Sequence, residues 1–413
     1  EGKDIPVHLN LRKLLTKHLA VLAKSGADKS YTVGVILEEI LEHKIPVLVI
    51  DPHGEYSSLK IKNDEDSEKL AQYDIKSKAY RIQEYGDPTI LPHAYPIKIS
   101  NRISQSELAH LLPGRLNSTQ LGLLYSAMDD QTRLDFDSLI LQLEAEESAT
   151  KWTLINNLKG LKKTNIFSDN PTSLNELLKS GVASIVNLKG IDPDIQEIIA
   201  YKILTDLFEA RKKNRVPPFF CVIEEAHNFV PERSYGEAKS SKILRTIASE
   251  GRKFGMGLCV ISQRPARVEK NVLSQCTTQV VLKVTNPNDL KALSNSIEGL
   301  TSETEKEIKN IPIGTALVTG ISEMPLMVNI RPRRSKHGGD AVDILEQPEK
   351  DVFEQKEDFE KQELLPVIKP MTTEKDIRLM SEGDIEIEKR LRPAKMFTCK
   401  TDSEFEILVD MTT

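Results

Sequence analysis

Cysteine is scarce in this chain, with four in 413 residues, and there is a single tryptophan. Cys221 and Cys259 stand inside apolar, strand-like runs and not at zinc-ligand spacing. They read as small core residues in a reducing compartment. No run approaches the roughly 18 uninterrupted apolar residues of a membrane span, and residues 1–20 lack a signal-peptide pattern. The expectation is a cytoplasmic protein with no membrane partner. A basic coat is missing too, since the net charge is −6. The acid excess is local: residues 336–413 carry 12 Lys and Arg against 20 Asp and Glu, whereas the first 335 carry 44 against 42. Such a body cannot coat itself with nucleic acid, yet it can still set basic groups along one groove.

Glycine is missing where it would matter most. Residues 19–30, LAVLAKSGADKS, read as an apolar strand, a small-residue turn and then Lys29-Ser30 opening a helix. That is the layout of a phosphate-binding loop, in which backbone N–H groups of Ser25, Gly26, Ala27 and Asp28 surround phosphates. Lys29 reaches the terminal phosphates, Ser30 holds a magnesium ion, and Tyr31 follows in the first turn. The pattern G-x-x-x-x-G-K-[ST] is broken twice, at Ala23 and at Asp28. Asp tolerates the left-handed backbone that glycine usually supplies here, but its charge opposes ATP.

Residues 31–43 place Val33, Ile36, Leu37, Ile40 and Leu41 at helical spacing. PVLVID (46–51) is a second buried strand, ending in Asp51-Pro52-His53-Gly54-Glu55, which is turn chemistry. A further strand is expected near 79–82, and residues 104–178 carry a helical pattern. Strand and helix alternate again from Val182. FFCVI (219–223) is an apolar strand of the kind buried on both faces, and it ends in Glu224-Glu225. GLCVIS, TQVVLKV, GTALVTG and PLMVNI follow, and EFEILVDM near the end alternates like an edge strand or a strand lent to a neighbour. The fold class is α/β with a mainly parallel sheet, a helical insertion and an extended C-terminal arm.

Singly, each polar group has a plain explanation: acids often end strands, Ser262-Gln263-Arg264 could be a simple turn, and Arg252 suits a helix C-terminus. Jointly they meet one condition. Lys29 and the acid pair both sit at C-terminal ends of buried strands, where open α/β sheets bind ligands. Glu224 can hold magnesium through water, Glu225 can orient attacking water, and Gln263 can hydrogen-bond the γ-phosphate.

The segments LNLRKLLTKHLAVLAKSGADKSYTVGV, VIDPHGEY, VIEEAHNFVP, EGRKFGMGLCVISQRP and NIRPRRSKHGG, in this order, resemble the ATPase domain of the HerA family of hexameric DNA translocases, within the HerA/FtsK group. The resemblance spans roughly residues 5–340. It implies a RecA-like P-loop ATPase core in two parts, 1–103 and 181–335, around an insertion at 104–180, with an acidic arm at 336–413. It also implies a homohexamer, ATP and Mg2+ as cofactors, double-stranded DNA through the ring, and DNA-end processing with a NurA-type nuclease.

By motif, Lys29 and Ser30 bind phosphate and magnesium, Glu224 holds the metal where the family usually has Asp, Glu225 is catalytic and Gln263 is the sensor. Arg252 is the arginine finger, with Arg245 as runner-up, while Asp51 and His53 stand behind the site. Arg233, Lys239 and Lys242 are the DNA-contact candidates. The family's usual N-terminal β-barrel is expected to be absent. The competing expectations are a secretion or conjugation ATPase and a ring scaffold with impaired hydrolysis.

Overall fold

The computed structural model describes residues 6–114, 116–128, 133–297, 302–322 and 324–338, together with three strands between 386 and 408. The chain divides into two compact units, 1–340 and 341–413. The strands of the first unit are β1 (Leu19–Leu22), β2 (Val47–Asp51), β3 (Ile82–Gly86), β4 (Tyr95–Pro96), β5 (Ile99–Ser100), β6 (Phe167–Ser168), β7 (Ala183–Asn187), β8 (Phe219–Ile223), β9 (Met256–Ser262), β10 (Thr278–Val281), β11 (Thr315–Thr319) and β12 (Leu326–Asn329). Ten form one sheet in the order β12-β11-β10-β1-β9-β8-β2-β7-β3-β4. It is parallel from β10 to β4, and β11 and β12 add antiparallel.

The central strands are apolar along their length because both faces are covered. Leu19, Val21, Val49, Val222 and Ile261 pack on one face with Val33, Leu37 and Ile40 of helix Lys29–Glu42. Ala20, Leu22, Ile50, Ile223 and Val260 pack on the other with Ile199, Ile203 and Leu207 of helix Pro193–Lys212. This period-two division is what a strand buried on both faces requires.

The short parallel pair β5–β6 brackets four helices, Gln105–Leu111, Ser118–Ala127, Phe136–Ala145 and Lys151–Lys163. Three start at side-chain caps: Ser104, Asn117 in a reciprocal box with Gln120, and Asp135. The strand expected near 79–82 lies at Ile82–Gly86 instead. The backbone N–H groups of Lys78 and Tyr80 donate to Arg334 and Leu59 carbonyls, which takes that stretch out of the sheet.

Residues 331–336 cross helix Lys29–Glu42 as a strap. Glu38 is fully buried and accepts from Arg331 Nη1 (2.8 Å), Arg334 N (3.1 Å), Ser335 N (2.9 Å) and Ser335 Oγ (2.7 Å). Arg333, also fully buried, lies over Gly34, where an added Cβ would stand 2.6–2.8 Å from the guanidinium. Its backbone N–H donates to Tyr31 Oη at 2.9 Å.

In the second unit, Glu386–Lys389, Met396–Lys400 and Glu404–Leu408 form an antiparallel sheet with Met396–Lys400 central. The C-terminal alternating run is thus an edge strand there. The acidic stretch at 340–370 lies outside the described residues.

Candidate active site

Because β1, β9, β8 and β2 are parallel, their C-terminal ends meet on one edge. At the end of β1 the loop is pinned by Ala23 N–H to Ser262 O (3.3 Å) and Lys24 N–H to Lys283 O (2.8 Å). Ser25 and Gly26 are exposed, Ala27 is buried, and Ser30 and Tyr31 are half-buried in the first helical turn. The backbone is left-handed at Gly26 (φ 70°) and again at Asp28 (φ 54°, ψ 35°). Asp28 therefore adopts the conformation expected of it. It makes no side-chain cap to helix Lys29–Glu42, whose first N–H groups have no intrahelical acceptor and favour an anion.

The Lys29 ammonium hydrogen-bonds Glu224 and lies 2.9 Å from Glu225 Oε1. Burial works against its charge, but the two carboxylates outweigh it and hold the ammonium above its ordinary range. Glu224 is fully buried, and burial pushes its carboxyl up to about 7 despite Lys29. Its other oxygen accepts from the buried Tyr56 hydroxyl at 2.8 Å. Burial opposes ionisation of Glu225 as well, yet His227 and Lys29 together bring it down to about 2.

Asp51, at the end of β2, accepts from the N–H groups of His53 (3.1 Å), Gly54 (2.8 Å) and Tyr56 (3.2 Å), and burial raises it to about 6. It builds the turn that delivers Tyr56 to Glu224. His53 contributes its backbone here, and its side chain is exposed. Glu55 adds a buried oxygen, Oε2, with no hydrogen-bond partner.

Glu225 sits at φ 47°, ψ 50°, a left-handed backbone that few non-glycine residues adopt. His227 Nδ1 lies 3.2 Å from Glu225 Oε2 and 3.1 Å from Ser262 Oγ. Gln263, half-buried, follows Ser262 at the end of β9. The structure thus brings together Lys29, Ser30, Glu224, Glu225, Gln263 and Asp51. Tyr56, Glu55 and His227 carry no spacing signal of their own, and only the polar turn at 51–55 and the acid pair pointed to their neighbourhood.

The remaining candidates lie elsewhere. Arg252 is exposed at the opposite edge, before β9, about 20 Å from Ser262 along that strand. Arg245 pairs within the chain to Glu237 (3.1 Å) and the buried Glu269 (3.6 Å). Arg233 and Lys242 are exposed. Lys239 is half-buried, its ammonium donating to Leu112 O at 2.6 Å, so it ties its loop to the four-helix segment. No helix among the described residues is long and apolar enough to cross a membrane.

A phosphate loop on β1, an acid pair on β8 and a polar turn on the intervening β9 define a P-loop ATPase with an α/β, RecA-like core. Two solved structures share the fold: VirB4 of Thermoanaerobacter pseudethanolicus, 16% identical with a TM-score of 0.54, over 76% of this chain and 89% of that one, and the bacterial conjugative coupling protein TrwB, 14% identical with a TM-score of 0.51, over 80% and 88%.

Residues 1–207 match the family described as the central domain of helicase HerA. The DNA double-strand break repair helicase HerA of Saccharolobus solfataricus is 30% identical over 363 residues, 83% of this chain and 70% of that protein. A probable helicase of Methanocaldococcus jannaschii is 28% identical over 377 residues, 84% and 69%. The chain belongs to the HerA family and is an ATP-hydrolysing enzyme.

Proposed function

We propose that this enzyme is an ATP-driven double-stranded DNA translocase or helicase, working as a homohexamer in DNA-end resection and repair with a NurA-type nuclease. The observation that carries the reading is Lys29 held between Glu224 and Glu225 beside a phosphate loop, in a chain whose relatives are named as double-strand break repair helicases.

On arrival of ATP, the Lys29 ammonium exchanges its carboxylates for the terminal phosphates, joined by the loop N–H groups of residues 25–31. Glu225, ionised across the physiological range, orients the attacking water and takes its proton, and Gln263 hydrogen-bonds the water or the γ-phosphate. Arg252 acts on the neighbouring subunit's nucleotide, consistent with its exposure far from its own loop.

The site also suits Mg2+. Glu224 lies close to Lys29, Glu225 and Glu55, Asp51 lies close to Glu55, and one oxygen each of Glu55 and Glu225 has no hydrogen-bond partner. No group of three or more acids, His or Cys among the described residues could hold a metal by itself, as fits an ion that takes most of its ligands from phosphate and water. Ser30 and Glu224 would hold it, and it would neutralise charge on the phosphates.

Arg233 and Lys242, both exposed, contact DNA phosphates, which suffices for a motor that must not stop at any sequence. Sizing by light scattering, with duplex unwinding and nuclease co-elution, tests the assembly. A monomer that hydrolyses ATP without response to DNA contradicts it.

A further inference from the structure

His227 occupies a junction that phosphoryl transfer by itself does not call for. Its Nδ1 is 3.2 Å from Glu225 Oε2, at the end of β8, and 3.1 Å from Ser262 Oγ, at the end of β9. Ser262 Oγ also accepts from the Arg264 N–H at 3.0 Å, and the Ser262 carbonyl accepts from the Ala23 N–H at 3.3 Å. One imidazole therefore touches the acid proposed as base and the turn that carries Gln263, and that turn in turn grips the first residue of the phosphate loop. Glu225 itself has a left-handed backbone, a conformation that surroundings must hold in place.

The two oxygens of Glu225 face different groups. Oε1 faces Lys29 at 2.9 Å and Oε2 faces His227. When the ammonium leaves for phosphate, His227 is the neighbour that stays. Nδ1 hydrogen-bonds Ser262 Oγ and stands 3.2 Å from Oε2, an oxygen with no hydrogen-bond partner, so the imidazole bounds the carboxylate on that side and leaves Oε1 open toward the space that Lys29 vacates, where water must sit.

We infer that His227 is a positioning residue, which aims Glu225 at the attacking water and couples it to the Ser262–Arg264 turn so that base and sensor move as one unit. This rests on the reading of Glu225 as the base. A residue that only filled space would affect folding and nucleotide binding, whereas a positioning residue acts on turnover after ATP is bound.

The test is steady-state ATP turnover by the full chain, with binding of a fluorescent ATP analogue measured alongside, for Glu225→Gln, His227→Leu, His227→Asn, His227→Gln and Ser262→Ala. Glu225→Gln is expected to bind nucleotide and not turn it over. His227→Leu should lose about tenfold or more in kcat, the scale of a misplaced catalytic group, with KM unchanged. His227→Asn, whose amide nitrogen falls where Nδ1 lies, should recover most of that loss, and His227→Gln should not. Ser262→Ala should show a smaller loss that does not add to that of His227→Leu.

Wild-type turnover in His227→Leu beside an inactive Glu225→Gln would overturn the role of His227 and leave Glu225 as the base. Wild-type turnover in Glu225→Gln would overturn both. If His227→Leu fails to bind nucleotide, Ser262→Ala decides, and an unchanged kcat there overturns the coupling.

Discussion

The ammonium of Lys29 reaches past β9 to the carboxylate of Glu224, which ends a strand that is not the neighbour of its own. The pair is buried, and Glu225 shares it. Removing the cation leaves buried carboxylates uncompensated, which typically costs about 3–5 kcal/mol. Lys29→Ala is therefore expected to abolish ATP turnover and to lower the unfolding free energy by about that much at neutral pH. The loss should shrink in mild acid, where Glu224 takes up a proton. Denaturant melts at two pH values check the second part.

The acid cluster makes stability depend on pH in a predictable sense. Burial raises Glu224 from 4.5 to about 7, so between these values the folded state binds more protons than the unfolded one. Its contribution is full below about pH 4.5 and is lost as pH rises through about 7. Asp51, raised from 3.8 to about 6, has the same sign. Glu225, lowered from 4.5 to about 2, has the opposite sign: its contribution is present above 4.5 and lost as pH falls toward 2. Without nucleotide or divalent cation, Glu224→Gln should flatten the decline in stability between pH 4.5 and 7, as followed by thermal melts. An identical decline in both proteins would count against the assignment.

Asp28 places a carboxylate at the phosphate loop in a conformation that glycine adopts without strain. Two like charges about 4 Å apart in water repel by about 1 kcal/mol, roughly a fivefold effect on binding. Asp28→Gly is expected to bind ATP tighter by about that factor. Calorimetric titration giving equal affinities would show that the carboxylate does not face the phosphates.

The strap over the phosphate-loop helix allows a paired test on two glycines. Gly34→Ala would drive a Cβ into the Arg333 guanidinium, which is fully buried and held by a hydrogen bond to Ser335 Oγ at 2.9 Å. Overpacking of this kind costs about 1–3 kcal/mol. Gly160, in helix Lys151–Lys163, has nothing within 4 Å of an added Cβ, so Gly160→Ala should stabilise by about 0.5–1 kcal/mol. Thermal melts should move in opposite directions.

Much of the sheet was legible because its strands are buried on both faces and therefore read as unbroken apolar runs, FFCVI above all. The site was legible where chemistry falls at a strand end, as with Lys29, Glu224, Glu225 and Gln263. Tyr56 was not, because its partner is 168 residues away, and no local period records such a contact. The strap escaped for the same reason: Glu38 sits on a helix and its donors lie almost 300 residues on. Lys239 looked like a free cation in a polar loop, and only the fold brings the Leu112 carbonyl to it. The strand shifted to 82–86 because long-range backbone bonds claim Lys78 and Tyr80.

The most direct test of the whole account is ATP turnover by the wild-type chain and by Glu225→Gln, each with and without double-stranded DNA. The account predicts hydrolysis that duplex DNA stimulates in the wild type, and in Glu225→Gln nucleotide binding without turnover under either condition. Turnover indifferent to DNA, or undiminished in Glu225→Gln, would contradict it.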